Sequence, residues 1–366
     1  MFLALREIRH AKLRFALITG VIVMVSSLVF ILSGLANGLA TGNSAAIDAL
    51  PVDALVVSAG SDFQLDRSRV PMEAVAAIGE QPGIEEAAPF GATAANVTIE
   101  GSDDVLGVSL IGVDPGSVAA PEPREGDPVG TGGNGVVIDQ TLVDEGVAIG
   151  DTLVTEPGGV TLAVVGTVSG RSYRLAPTLF APLEMWQQAQ AQSDGADGAP
   201  VSAVLVRGEQ DAIEALPDTV ENVMVASKAQ IVENLPGYSE QALTLLLIQV
   251  FLVIIAAGIV ASFFYIITLQ KMPELGVMKA IGTTTGYLAR TLTLQVLLLG
   301  LVGVIVGSAI AFVVSLAIGT AVPFELSTSR FFVFGGILLA VAMLGTVLSL
   351  LRVARVDPLD AISKAG

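Results

Sequence analysis

The 366-residue sequence predicts an α-helical membrane protein with four transmembrane helices plus an α+β extracytoplasmic domain inserted between the first and second. Three observations predict it. Apolar residues make up 52% of the chain and charged residues 14%, with a mean hydropathy of +0.73, beyond an ordinary soluble domain. Apolar runs at 15–39, 243–269, 288–322 and 331–351 are each long enough to cross a hydrocarbon core of about 30 Å. Charge is also partitioned: residues 40–240 hold 30 acidic and 7 basic side chains, whereas the ends and the 271–290 loop hold ten basic and four acidic. The positive-inside rule then puts both termini and that loop in the cytosol and residues 43–240 outside.

In chain order, residues 1–42 comprise an amphipathic lead-in helix and the first span. Arg6, Arg9, Lys12 and Arg14 interleave there with Phe2, Leu3, Leu5, Ile8 and Leu13. The basic start also fits a cleaved signal peptide, but the apolar run exceeds the usual h-region of about 7–15 residues. Gly34 and Gly38 stand at a spacing that permits close approach of a neighbouring helix.

Residues 43–240 read as alternating strands and helices. Strands are expected at 54–58, 95–100, 106–113, 135–139, 152–155, 160–168, 201–207 and 223–225, and helical pieces at 71–78, 142–145 and from 209. The stretch 115–134 reads as a linker, 187–200 as a polar loop, and 115–180 as a β-richer insert that makes two subdomains. Residues 241–351 hold the last three spans, with a cytosolic coupling helix at about 272–286, and 352–366 form a cytosolic tail. Gly300, Gly303 and Gly307 in the third span either groove it for a neighbour or are simply tolerated in a membrane helix.

What the chain lacks excludes whole classes of chemistry. There is no cysteine, hence no disulfide and no thiolate site, and the single histidine, His10, precludes a two-histidine metal site within one chain. Without cysteine or an outer histidine, neither a Cys-His nor a Ser-His-Asp arrangement can form outside. No lysine follows a glycine, so there is no G-x-x-x-x-G-K-[ST] phosphate loop. The spans carry no row of ionisable groups such as ion-coupled carriers use; Gln249 and Gln295 are their most polar residues. The chain is therefore expected to be a non-catalytic subunit powered from outside, with no intrinsic cofactor and no nucleic-acid partner.

The segment 263–282 reads as the point where force enters. Lys271, Glu274 and Lys279 mark the exit from hydrocarbon. Pro273 suits the first turn of a new helix, because its missing N–H is unpaired there anyway. Leu275, Val277, Met278 and Ile281 give a short apolar face, and Gly282 can close it. A solvated loop between two spans is the alternative.

Three stretches, Leu3-Ala-Leu-Arg-Glu-Ile-Arg9, Pro273-Glu-Leu-Gly-Val-Met-Lys-Ala-Ile-Gly282 and Asp357-Pro-Leu-Asp-Ala361, resemble the FtsX/MacB class of ABC-transporter permeases. That class has the same layout of one span, a large outer domain and three spans. Its usual basic residue before Glu274 is here Pro273. Within the class, Phe263-Phe-Tyr-Ile-Ile-Thr-Leu-Gln-Lys271 and Leu235-Pro-Gly-Tyr-Ser-Glu-Gln241 resemble the haem-exporter permeases. The resemblance implies a homodimer in a bacterial plasma membrane beside two copies of a separate ATPase, which holds the ATP and Mg²⁺. It further implies cargo collected from the membrane or outer surface, coupling through Pro273, Glu274, Leu275, Gly276, Met278 and Lys279, and haem contacts at Tyr173 and Tyr238. Tyrosine is an accepted haem-iron ligand, and Arg171 and Arg174 flank Tyr173 as candidate partners for propionates. The alternatives are a strand-end residue for Tyr173 and an interfacial anchor for Tyr238. Rival functions in the same frame are MacB-like efflux of peptides, lipids or antibiotics, an FtsX-like regulator of a cell-wall hydrolase, and a lipoprotein-extracting permease.

Overall fold

A computed structural model describes residues 12–194, 200–280, 284–319 and 322–354. The lead-in residues up to 11, with His10, lie outside this set, as do 281–283 and the tail from 355 with its Asp-Pro-Leu-Asp motif. The chain divides into two compact units, one of residues 1–38 and 243–366 and one of residues 39–242.

The apolar unit is built on four helices: the first part of α1 (Lys12–Asp48), nearly all of α8 (Tyr238–Ala280), α9 (Thr285–Ile318) and α10 (Thr328–Ala354). Among the described residues, Phe15–Asp48, Tyr238–Ile259 and Thr293–Ile318 are long and apolar enough to cross a bilayer, and Thr328–Leu344 is a shorter apolar helix. Phe15, Ile18 and Ile22 of α1 meet Val296 and Leu299 of α9 and Ala342 of α10 in one buried cluster. A second cluster joins Val29 and Phe30 to Val304, Ala311 and Leu338, and takes from α8 the buried Ala256.

Glycine sets how closely these helices approach. A Cβ on Gly303 would come within 2.3 Å of Ile22, and one on Gly307 within 2.6 Å of Ser26, so these two residues of α9 form the groove in which α1 lies. Gly34 and Gly38 do something other than expected. Their faces receive the turn before α10, with Pro323 and Phe324 where Cβ atoms would be, and the Glu325 N–H donates to the Gly34 carbonyl at 3.1 Å. They seat a loop rather than a helix.

Where a fresh helix at Pro273 was expected, α8 runs unbroken for 43 residues to Ala280. The flanking Leu, Met, Lys and Ala are good helix formers, and a proline inside a membrane helix forfeits only a local hydrogen bond that neighbours can replace.

The other unit is organised by a ten-stranded sheet: β1 (Ala54–Ser58), β2 (Ile84–Ile99), β3 (Val105–Val113), β4 (Glu125–Gly126), β5 (Gly135–Asp139), β6 (Thr152–Glu156), β7 (Thr161–Val168), β8 (Thr178–Pro182), β9 (Ala203–Gly208) and β10 (Val223–Ala226). Its order is β10-β1-β9-β2-β3-β8-β5-β7-β4, with β6 pairing both β2 and β7. The pairings β2–β3–β8–β5–β7–β6–β2 therefore close into a six-stranded ring. Strand β2 is much longer than its sequence indicates. Pro89 lies within it, opposite Val204 of β9, and pairing with β3 begins only one residue later, at Phe90 opposite Val113. The missing N–H thus falls where only one neighbour is hydrogen-bonded.

Alternate residues of each strand feed two cores. Val56, Val204 and Leu110 enter one, and their neighbours Leu55, Leu205 and Ile111 enter the other. Short helices α2 (Met72–Gly79), α3 (Gln140–Asp144), α4 (Leu183–Asp194), α5 (Gln210–Glu214), α6 (Leu216–Thr219) and α7 (Lys228–Glu233) surround the sheet. In α4, whose residues 187–194 were expected to be polar loop, Trp186 lies over Gly91 and Gly112, which face each other across β2 and β3. A Cβ on either glycine would be about 2.4–2.5 Å from the Trp186 side chain. The end of α1 is closed by Lys228, whose Nζ donates to the Leu50 carbonyl at 2.9 Å.

Candidate functional site

The loop between β7 and β8, residues 169–177, carries three of the four candidate ligand contacts. Tyr173 and Ala176 exchange backbone hydrogen bonds of 3.2 and 3.0 Å, which forces a tight reversal between them. Arg174 and Leu175 fill it with φ of 55° and 60°, a left-handed conformation uncommon outside glycine. The loop is tied down on both flanks. The Asp139 carboxylate accepts from the Arg171 N–H at 2.9 Å and, through its other oxygen, from the Thr141 N–H and hydroxyl at 3.0 and 2.9 Å. On the opposite flank the Ala46 N–H donates to the Ser172 carbonyl, and the Arg174 and Leu175 N–H groups donate to the Asn43 and Gly42 carbonyls.

A second loop, residues 59–69, faces this one. It also holds non-glycine residues with left-handed φ, Asp62 at 52° and Phe63 at 59°. The two loops meet through a 3.0 Å ion pair between Arg174 Nη1 and Asp66 Oδ2. Arg174 is thus already engaged by a carboxylate of the chain. The Arg171 guanidinium makes no ion pair among the described residues.

Beneath the ion pair lies Tyr173, 2% exposed, in the apolar cluster with Leu65, Phe90 and Phe180. Its hydroxyl has no hydrogen-bond partner among the described residues, and neither has Asp66 Oδ1. Burial pushes the Tyr173 phenol well above its usual range; the Arg174 charge opposes that shift and the Asp66 charge adds to it. Tyr173 is therefore a neutral phenol here. Two strained loops, an ion pair and two orphaned polar atoms in one place mark a segment held in a demanding arrangement.

Tyr238, the first residue of α8, is half-buried against the same apolar cluster as Tyr173. Its N–H donates to the Leu235 carbonyl at 3.0 Å. The structure thus gathers both candidate tyrosines on one core, Tyr173 enclosed and Tyr238 at its margin. Sequence reasoning missed Asp66, Asn43 and Asp139, the residues that hold the loop. No motif marks them; the only trace was a pair of aspartates in a turn-rich stretch before Arg67 and Arg69.

The residues expected to couple, Pro273, Glu274, Leu275, Gly276, Met278 and Lys279, have helical backbone in the last turns of α8, and their side chains lie outside the described residues. No cluster of three or more metal-ligating side chains occurs among the described residues.

A sheet-centred unit and a unit of long apolar helices are the two parts that the FtsX/MacB layout calls for. Comparison with known proteins agrees. The MacB-like periplasmic core domain family matches residues 15–224, and the FtsX-like permease C-terminal family matches residues 246–358. The chain belongs to the FtsX/MacB type of ABC transporter permease, a family that works with an ATPase subunit. It is 27% identical to a Staphylococcus epidermidis protein named as hemin transport system permease HrtB, over 99% of both chains. It is 28% identical to an uncharacterized ABC transporter permease of Mycobacterium tuberculosis, over 98% of both. Among solved structures, the periplasmic region of MacB from Actinobacillus actinomycetemcomitans overlaps 52% of this chain and 97% of its own at a TM-score of 0.34 and 14% identity.

Proposed function

We propose that this chain is the membrane half of a haem exporter. Two copies pair in the plasma membrane with two copies of a separate ATPase, and haem is taken from the membrane and released outside. Each copy crosses four times, with both termini cytosolic and residues 43–240 extracytoplasmic. The observation that carries the reading is the end-to-end similarity, without large insertions, to permeases named for hemin transport. The charge partition supports the orientation. The apolar stretch Tyr238–Ile259 supports the pairing: only 6% of it is buried, against 39% for the corresponding stretches of α1 and α9. Of these three stretches it leaves the most apolar surface uncovered for a second copy.

Tyr238 and Tyr173 contact the haem in turn. Tyr238 at the cluster margin meets it first. Tyr173 follows when the Arg174–Asp66 pair parts, because only a phenol released from the apolar core can ionise toward iron. Arg174 is then free for a propionate, beside Arg171. Force arrives through Pro273–Lys279 at the far end of α8.

Haem titration of the purified permease–ATPase complex tests this. Saturable binding with a tyrosinate-type absorption spectrum is expected, with the spectrum altered in Tyr238→Phe. Unchanged spectra in both Tyr238→Phe and Tyr173→Phe would remove the proposed contacts. ATPase stimulation by peptides or lipids but not haem would transfer the assignment to MacB-like efflux. Glu274→Lys and Gly276→Pro should abolish stimulation of the partner ATPase while the complex still assembles; normal stimulation in both would place the motor contact elsewhere.

A further inference from the structure

A separate cavity of about 220 Å³ lies within the apolar unit, between α1, α9 and the start of α10. Phe30, Phe312, Phe331 and Leu326 form its apolar walls, and Ser33, Ser308, Thr328 and Arg330 also line it. It sits where the apolar stretches Thr293–Ile318 and Thr328–Leu344 end, the depth at which lipid headgroups meet acyl chains.

Arg330 is half-buried and makes no ion pair among the described residues; Glu325, the other charge of that turn, is exposed. Ser33 is 4% exposed, and its hydroxyl has no hydrogen-bond partner among the described residues, whereas Ser27 one and a half turns earlier bonds the Val23 carbonyl and Ser308 bonds that of Ile305. A guanidinium without a counter-charge at the edge of an apolar cavity offers charge-assisted hydrogen bonds to an anionic guest. The seating of Pro323 and Phe324 on Gly34 and Gly38 keeps the wall of the cavity fixed.

We propose that this cavity holds an anionic phospholipid, its phosphate on Arg330 and Thr328 and the upper part of one acyl chain between Phe30 and Phe312, with the glycerol oxygens in reach of Ser33. A pocket of about 220 Å³ suits the upper part of a single acyl chain. The site shares no residue with the haem contacts. In the orientation given above it faces the outer leaflet.

Native mass spectrometry of the full chain, after exchange into detergent with phosphatidylglycerol or phosphatidylcholine, tests the proposal. One phosphatidylglycerol per chain should be retained and phosphatidylcholine lost. Arg330→Gln should weaken retention roughly tenfold, as loss of a charge-assisted contact implies. Ser33→Leu, which fills the cavity without altering charge, should do the same. Millimolar inorganic phosphate should not displace the lipid, because the chain supplies much of the binding. Equal retention of both lipids, displacement by free phosphate, or wild-type retention in Arg330→Gln would overturn the site. Haem binding by the wild-type complex is read separately, so either result stands without the other.

Discussion

The two units of this chain use the same apolar residues under opposite rules. In residues 39–242, burial is nearly total: adjacent Leu55 and Val56 on β1 are both inaccessible, because each face of the sheet has its own cover. In the apolar unit, Phe251, Phe312, Leu316 and Phe332 are each more than half exposed. There, helices are fixed by where a side chain is missing, as at Gly303 and Gly307, since lipid offers leucine the same welcome that a neighbouring helix does. In the soluble unit specificity lies in what is buried; in the membrane unit it lies in how closely backbones approach.

This contrast is open to direct attack. Trp186→Ala should have the largest effect, about 3–5 kcal/mol off the stability of the sheet unit, because Gly91 and Gly112 would be left facing a void; circular dichroism during denaturation reads it. Asp139→Ala should cost about 2–3 kcal/mol, by stranding the Arg171 N–H and uncapping α3. Gly307→Leu should cost about 1–3 kcal/mol of helix packing and appear as loss of the folded species in detergent at lower temperature, with the sheet's denaturation unmoved. A coupled loss of both units in that variant would break the comparison.

The smallest effect is electrostatic. Burial, and then the nearby Glu184 charge, raise the Asp114 pKa. The folded state therefore holds that proton more tightly than the unfolded chain, and stability falls as pH rises from the ordinary carboxylate range through the raised value. Asp114→Asn should be more stable than wild type at neutral pH, with the advantage vanishing in acid. An advantage that persists in acid would assign it to something other than charge.

Much of this architecture was written in local pattern. The apolar runs announce the helices, and short aliphatic runs at 54–58 and 106–113 announce strands. Strand β8 escaped because it is short and lies between Pro177 and its own terminal Pro182, which read as turn residues, and α4 because its glutamines and alanines look like a loop unless Trp186 is recognised as an anchor. The first half of β2, with Glu85, Glu86 and Pro89, has poor strand character and exists because β9 pairs with it. The candidate site was readable only in part for a similar reason. Tyr173 stands out as one of four tyrosines, but its enclosure depends on Asp66 and Asn43, more than a hundred residues away in sequence.

One feature of α8 has a mechanical consequence. At 1.5 Å per residue, 43 residues make a rod of about 65 Å, roughly twice the hydrocarbon thickness. Tyr238 and Glu274 ride on that one rod, so a tilt of a few degrees imposed at one end sweeps the other through several ångströms. Movement imposed at one end of α8 would reach the other by leverage, with no relay of side chains between.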